Sequence, residues 1–99
     1  MPGKYDSKKE FAALNNAIAE SRKSGKPVMI DFWAPWCKNC SAMERNVLNT
    51  PEVKQALGNY IFVKFNAGNM NDINVAGVLT KCGVTGLPSY VVITPAQMR

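Results

Sequence analysis

The hydrophobic positions of this chain change once from helical to extended spacing within the first 33 residues. After Ser7-x-x-Glu10, which has the form of a capping box, apolar residues recur at helical spacing until Gly25, which predicts a first helix. Lys26-Pro27 blocks its continuation. The segment from Val28 to Trp33 is then rich in β-forming residues with almost no alternation, as expected of a central strand covered on both faces.

The rest of the chain continues this order. A second helix is predicted from near Cys37 to about Asn49, where Thr50 fits the N-cap and Pro51 the first position of a further helical segment ending at Leu57-Gly58. The remaining predicted elements are a strand from Tyr60 to Phe65, a helix capped by Asp72 and closed by Gly83, and a strand from Ser89 to Thr94 ended by Pro95. The pattern predicts an α/β domain with parallel crossovers, a central sheet and flanking helices. The loop before the last strand is too short to settle its direction.

Two cysteines, Cys37 and Cys40, stand three apart at the predicted strand-to-helix junction. The first turn of a helix brings positions i and i+3 within bridging distance, so the pair can close and reopen a disulfide. The chain has no His and one further thiol, Cys82, which is too few ligands for a closed zinc site. A Cu(I) site of two or three thiolates remains an alternative, because soft thiolates bind Cu(I) at low coordination number.

Three segments resemble the thioredoxin superfamily. The stretch Asp31-Phe32-Trp33-Ala34-Pro35-Trp36-Cys37-Lys38-Asn39-Cys40 is similar to its active-site segment, Gly83-Val84-Thr85-Gly86-Leu87-Pro88 to its cis-proline loop, and Phe62-Val63-Lys64-Phe65-Asn66 to the strand that places a lysine near a buried aspartate. The break at Thr50-Pro51, the loop from Asn66 to Asp72 and the Gly-Leu-Pro sequence most resemble the C-terminal thioredoxin-like domain of DsbD-type thiol:disulfide interchange proteins.

Cys37 is the candidate attacking thiolate and Cys40 the resolving thiol. A helix start favours a thiolate over a thiol, and the charge of Lys38 should lower the pKa of Cys37 further. Trp36 and the helix start indicate an exposed, electropositive setting for the pair. The alternative interpretations are two inert buried cysteines and, for Lys38, an ordinary solvated helix residue.

Asp31 lies in an otherwise apolar strand, where an isolated carboxylate is costly unless it is paired or protonated. The resemblance implies that it sits behind the cysteines and accepts the Cys40 proton through water, with Lys64 nearby. A structural Asp31–Lys64 pair is the alternative.

The resemblance also implies a cis Leu87-Pro88 bond facing the disulfide, where the Leu87 backbone pairs with an extended substrate strand. An ordinary trans proline at a strand start is the alternative. Trp33 is expected in the core and Trp36 as a partly exposed shoulder of the site. Cys82 is expected to act as a small hydrophobe at a helix end, with a regulatory or metal-binding thiol as the alternative.

With 99 residues, 46% of them hydrophobic, the chain is expected to form a single thioredoxin-like domain over residues 1–99. The net charge of +5 favours solubility, and the lysines around the first helix lack the interleaved aromatics of a nucleic-acid surface. No apolar stretch approaches the roughly 20 residues of a membrane span, so no insertion by this chain is expected.

The chain departs from the family pattern at both ends. It stops at Arg99 without the final strand and helix, which predicts either C-terminal truncation or cover from another chain, and it leaves Val91-Val92-Ile93 as an apolar edge open to swapping or aggregation. A short first strand is represented by Lys4-Tyr5 at most.

These features predict a thiol:disulfide oxidoreductase that reduces the disulfides of partner proteins and needs no bound cofactor. The resemblance implies an upstream dithiol donor embedded in a membrane and a periplasmic or other extracytoplasmic location, with the cytoplasm as the alternative. A redox-inactive interaction domain with the same fold is the remaining alternative function.

Overall fold

The computed structural model describes residues 6–98, except for the side chain of Met98. The predicted order of elements is confirmed. The elements are α1 (Ser7–Ser24), β1 (Val28–Trp33), α2 (Lys38–Met43), a π-helical segment (Glu44–Leu48), α3 (Pro51–Leu57), β2 (Ile61–Asn66), α4 (Ile73–Lys81), β3 (Ser89–Ile93) and a 3-10 turn (Pro95–Met98).

The three strands form one mixed sheet in the order β2-β1-β3. β1 pairs with β2 in parallel, which places Asp31 opposite Lys64. β1 pairs with β3 in antiparallel orientation, which places Asp31 opposite Tyr90 and settles the direction that the sequence left open. The central position of β1 explains its nearly continuous apolar sequence, since strands lie on both of its edges and its side chains are mostly buried.

The main core joins two helices to the sheet. Leu14 and Ala17 of α1 and Val75 and Leu79 of α4 belong to one buried cluster with the strand residues Val28, Ile30, Phe32, Val63 and Phe65. Phe65 stacks edge-on against Phe11, with ring centroids 5.0 Å apart. This packing fixes the carboxyl ends of β1 and β2, from which the loops of the site emerge.

The start of α1 differs from the sequence prediction. Asp6, not Ser7, is the N-cap, and its carboxylate accepts a hydrogen bond from the Lys8 backbone N–H at 3.0 Å. The Ser7 hydroxyl instead donates to the Asp72 carboxylate at 3.0 Å. The predicted capping box was therefore wrong, because an acidic residue one position earlier already supplies the cap.

The second helical region was predicted as one helix to about Asn49, but its last five residues, Glu44–Leu48, are π-helical. The break after it is as predicted. Thr50 caps α3, with its hydroxyl accepting from Val53 N at 3.4 Å, and Pro51 is the first residue of the helix.

β3 is an edge strand. Among residues 6–98 no strand pairs with its outer side, and Val92 is 44% exposed, as expected from the apolar edge in the sequence.

The predicted short strand at Lys4-Tyr5 lies outside the described residues. Within the described part of the chain, the search for a helix long and apolar enough to span a bilayer finds none.

Candidate active site

Cys37 and Cys40 form a disulfide directly after β1, with their Cα atoms 5.2 Å apart. Cys37 is the N-cap of α2 and has an extended backbone (φ −88°, ψ 106°). Its sulfur accepts a hydrogen bond from the Cys40 backbone N–H at 3.1 Å. The helix start that the sequence predicted therefore contacts the Cys37 sulfur through one of its backbone donors, an arrangement that stabilises negative charge on that atom.

The disulfide is more enclosed than predicted. Cys37 and Cys40 are each 7% exposed, and they form a small buried cluster with Ala34, against which Trp33 and Leu87 pack. The exposed setting expected from the sequence was wrong for this oxidised form, because Trp33, Ala34 and Leu87 pack around the two cysteines. Lys38 is exposed in the first turn of α2, as a charged residue at the helix start can be.

Trp36 is the exposed part of the site. It is 60% exposed, and its indole Nε1–H donates to the Gly68 carbonyl oxygen at 3.0 Å. The predicted partial exposure of Trp36 is confirmed. Its partner Gly68 was not predicted, because 32 residues separate the two and no local pattern connects them.

Asp31 is 2% exposed and lies in the central strand β1. Its Oδ1 atom has no hydrogen-bond partner among the described residues. Burial raises the pKa of the Asp31 carboxyl, the positive charge of Lys64 partly offsets this rise, and the negative charge of Glu44 adds to it. With a raised pKa, this carboxyl group binds a proton more readily than an exposed aspartate does.

Lys64 lies opposite Asp31 in the sheet, but it is in an ion pair with Glu44, with Nζ and Oε2 3.0 Å apart. The two side chains are 40% and 52% exposed. The Lys64 ammonium also lies 5.0 Å from the centroid of the Trp33 ring. The structural Asp31–Lys64 pair weighed as an alternative is therefore replaced by a Lys64–Glu44 pair.

Glu44 was not predicted as part of the site. It lies four residues after Cys40, and positions i and i+4 share one side of a helix, so this spacing was the available signal. An acidic residue at such a position more commonly faces solvent, and the sequence does not show that β2 brings a lysine to meet it.

A cavity of about 270 Å³ connects these groups. Its lining residues are Asp31, Trp33, Cys40, Ser41, Glu44, Arg45 and Lys64. The volume is several times the roughly 30 Å³ that one water occupies in the liquid, so a water can lie between Asp31 and Cys40. Trp33, expected in the core, is instead half-buried and lines this cavity.

The Leu87-Pro88 peptide bond is cis, as the resemblance implied, and the trans alternative was wrong. Leu87 packs against the cluster formed by Ala34 and the disulfide. The loop before β3 and the loop after β1 therefore meet at the two cysteines, which places the Leu87 backbone beside them.

Cys82 lies apart from this arrangement. It is a half-buried free thiol at the C-cap of α4, it packs against the main core, and burial raises its pKa. Within residues 6–98 no three Cys, Asp or Glu side chains gather in a group that could hold a metal ion. The three-thiolate site that would add Cys82 to the pair is therefore not assembled.

Comparisons with known proteins agree with this geometry. Residues 10–95 match a family described as thioredoxin-like. The chain is 34% identical over 94 residues to the thiol:disulfide interchange protein DsbD 1 of Pseudomonas aeruginosa, covering 95% of this chain and 16% of that protein. It is 41% identical over 78 residues to DsbD of Salmonella paratyphi A, covering 79% and 13%. The chain thus spans only a small part of these relatives.

Among solved structures, the reduced C-terminal domain of Neisseria meningitidis DsbD superposes with a TM-score of 0.75 at 31% identity, covering 87% of this chain and 76% of that one. The oxidised form of the same domain superposes with a TM-score of 0.72 at 32% identity, covering 93% of this chain and 77% of that one. The site described above and these likenesses agree, and the chain belongs to the thioredoxin-like family as a DsbD-like thiol:disulfide interchange domain with its CxxC pair, Cys37 and Cys40, beside Trp36.

Proposed function

We propose that this domain is a protein-disulfide reductase that exchanges its Cys37–Cys40 dithiol for disulfides of partner proteins. The observation that carries the proposal is a closed Cys37–Cys40 disulfide at a helix start, backed by a cavity that a buried carboxyl group shares with Cys40. Neither element alone specifies the reaction, since a CxxC also binds metals and a buried carboxyl group is often structural.

The first step is attack by the Cys37 thiolate on one sulfur of a partner disulfide. A bond forms between Cys37 and that sulfur, the partner's S–S bond breaks, and the second partner sulfur leaves as a thiolate that takes a proton. The hydrogen bond from Cys40 N–H to the Cys37 sulfur stabilises the attacking thiolate. Lys38, exposed in the same turn, adds positive charge near it.

In the second step Cys40 attacks the Cys37 sulfur of the mixed disulfide. The Cys40 thiol loses its proton to the Asp31 carboxylate through water in the cavity, and the Cys37–Cys40 bond forms as the bond between Cys37 and the partner sulfur breaks. The released partner sulfur takes a proton from solvent, so the partner leaves as a dithiol. The partner gains two electrons and the domain is oxidised. Lys64 and Glu44 hold opposite charges at the cavity and tune the proton affinity of Asp31 in opposite directions.

Partner binding is assigned to the exposed surface around the disulfide. We assign backbone pairing with an extended partner strand to Leu87, which packs against the two cysteines and is joined to Pro88 by a cis bond. Trp36 offers an exposed aromatic face next to Cys37. An extended segment docking here brings its own disulfide to Cys37.

The likeness to DsbD supports a redox relay as the setting of this chemistry. We assign re-reduction of the Cys37–Cys40 disulfide to an upstream dithiol donor embedded in a membrane. The acceptor is a disulfide-containing protein on the periplasmic side, and residues 1–99 act as one domain. No resident cofactor takes part, because both steps are thiol–disulfide exchanges.

Trapping of the mixed disulfide tests the proposal. In a Cys82→Ser background, Cys40→Ser should accumulate a covalent adduct with insulin, because attack by Cys37 is intact and the resolving thiol is absent. The matched Cys37→Ser variant should form little adduct. The Cys82→Ser parent, with both site cysteines, should accelerate insulin reduction by dithiothreitol.

Two results would overturn the proposal. Adducts on Cys37→Ser instead of Cys40→Ser would reverse the two roles. A parent protein that leaves the rate of insulin reduction unchanged would identify a redox-inactive domain.

A further inference from the structure

The loop after β2 meets the loop after β1 at Pro35 and Trp36, just before the disulfide. The two strands run parallel, so their carboxyl ends lie at one edge of the sheet. The pairing continues one residue past the strand end, where the Ala67 backbone N–H donates to the Trp33 carbonyl at 2.7 Å. The next residue, Gly68, then lies against the segment that leads into Cys37.

Two hydrogen bonds fix Gly68 in place. Its backbone N–H donates to the Asn66 side-chain Oδ1 at 2.8 Å, and its carbonyl accepts the Trp36 indole N–H at 3.0 Å. Because Asn66 ends β2, the orientation of an exposed tryptophan is tied through one glycine to the rigid sheet. An exposed aromatic side chain without such a bond would sample several rotamers.

A residue larger than glycine at position 68 would disturb the contacts with Asn66 and Trp36. A Cβ atom added there would lie 2.9 Å from Asn66 Oδ1, 3.3 Å from Pro35 Cδ and 3.5 Å from Trp36 Nε1. The first distance is shorter than real Cβ contacts, so the Asn66 amide that holds the turn would have to move. Gly68 is thus needed for close approach and not for a left-handed backbone, since its φ is not positive.

We propose that the Asn66–Gly68 turn is a positioning element that holds the exposed Trp36 indole ready for protein substrates. Gly68 is the positioning residue and acts through the Trp36 hydrogen bond. The inference rests on the proposed reductase function. A pre-oriented Trp36 lowers the entropic cost of docking a protein segment beside Cys37, whereas a small disulfide reaches the sulfur without using this surface.

The test compares Gly68→Ala with Gly77→Ala, which adds the same methyl group in α4 where nothing lies within 4 Å. With dithiothreitol as reductant, Gly68→Ala should raise KM for insulin about two- to tenfold, the factor expected from one neutral hydrogen bond, with kcat little changed. Its rate with a small aromatic disulfide should stay at the parent value. Gly77→Ala should match the parent on both substrates.

A double-mutant cycle with Trp36→Phe separates this role from a general effect on folding. Trp36→Phe removes the indole donor, so adding Gly68→Ala to it should raise KM for insulin no further. The Trp36 indole proton, observed in nitrogen-15 NMR spectra, should exchange slowly with solvent in the parent protein and quickly in Gly68→Ala.

Three results would overturn the inference. They are additive effects of the two substitutions on KM, an unchanged KM for insulin in Gly68→Ala, and equal losses of activity with insulin and with the small disulfide. Failure of the parent itself to reduce either disulfide would instead refute the proposed function. The two failures are therefore distinguishable.

Discussion

Asp31 is an acidic residue whose buried surroundings disfavour its negative charge. Its backbone belongs to the central strand, its side chain is 2% exposed, and one carboxylate oxygen has no hydrogen-bond partner in the described part of the protein. The sequence identifies such a residue because a lone acidic residue interrupts an apolar run. It does not identify Glu44 or Gly68, because their contacts with Lys64 and Trp36 form only after distant segments fold together.

The raised pKa of Asp31 fixes the sign of a stability prediction. The folded protein binds the Asp31 proton more tightly than the unfolded chain, so between the unfolded pKa, about 3.8, and the folded one, stability falls as pH rises. Asp31→Asn removes this loss and should stabilise the oxidised domain at neutral pH. It should also slow insulin reduction, because Cys40 loses its proton acceptor.

Urea midpoints measured from about pH 3 to 7, together with turnover at pH 7, check this prediction. The matched substitution Asp6→Asn alters an exposed cap outside the cavity and should leave turnover unchanged. An Asp31→Asn protein that is destabilised but reduces insulin at the normal rate would give the Asp31 carboxylate a structural role only and would contradict the proton-transfer role.

At the scale of elements, the boundaries were predictable where a local signal sets them. Thr50-Pro51 and Asp72 cap the helices that follow, and Gly83 takes the left-handed backbone (φ 71°) expected after α4. The π-helical turn at Glu44–Leu48 has no comparable signal, because it differs from an α-helix by one residue in hydrogen-bond spacing. The direction of β3 depends on its pairing with β1, so the local sequence could not predict it.

Asp72 links two elements, since its carboxylate accepts from the Asn74 and Val75 backbone N–H groups of α4 and from the Ser7 hydroxyl of α1. Its pKa is lowered, first by the Val75 hydrogen bond and then by that of Ser7. The stabilisation it provides is present above the unfolded pKa of about 3.8 and is lost as pH falls through the folded one. Asp72→Asn keeps a side-chain oxygen that can cap α4, but it has no ionisable group at this position.

The midpoint difference between the parent and Asp72→Asn should therefore favour the parent at neutral pH and shrink in acid. Asp72→Ala, which also removes the cap, should be less stable than both at every pH. Denaturant midpoints for the three proteins at several pH values measure this. A difference independent of pH would mean that the carboxylate charge contributes nothing to the cap.

At the scale of the whole molecule, the described residues form two buried hydrophobic clusters that Leu87 connects. The larger one joins α1 and α4 to the sheet, and the smaller one surrounds the disulfide. Leu87 packs against both. The sequence predicted one domain from its length and hydrophobic content, but the connection between core and site depends on the cis Leu87-Pro88 loop folding back onto β1.

Because Leu87 couples the clusters, the site should unfold together with the core. Tryptophan fluorescence, which reports Trp33 and Trp36 at the site, and far-ultraviolet circular dichroism, which reports the helices, should give coincident urea transitions. Leu87→Ala should destabilise the domain by about 1 to 2 kcal/mol, less than for a fully buried leucine because Leu87 is half-buried, and should shift the fluorescence transition to lower urea than the dichroism transition.

Val84→Ala provides the matched control, because Val84 packs only against the larger cluster among those described. It should lower both midpoints together. Separate transitions in the parent protein would contradict the coupling and make the disulfide region an independently opening unit. Coincident transitions in Leu87→Ala would instead assign the coupling to the backbone, because β1 lies in the main core and only residues 34–36 separate its end from Cys37.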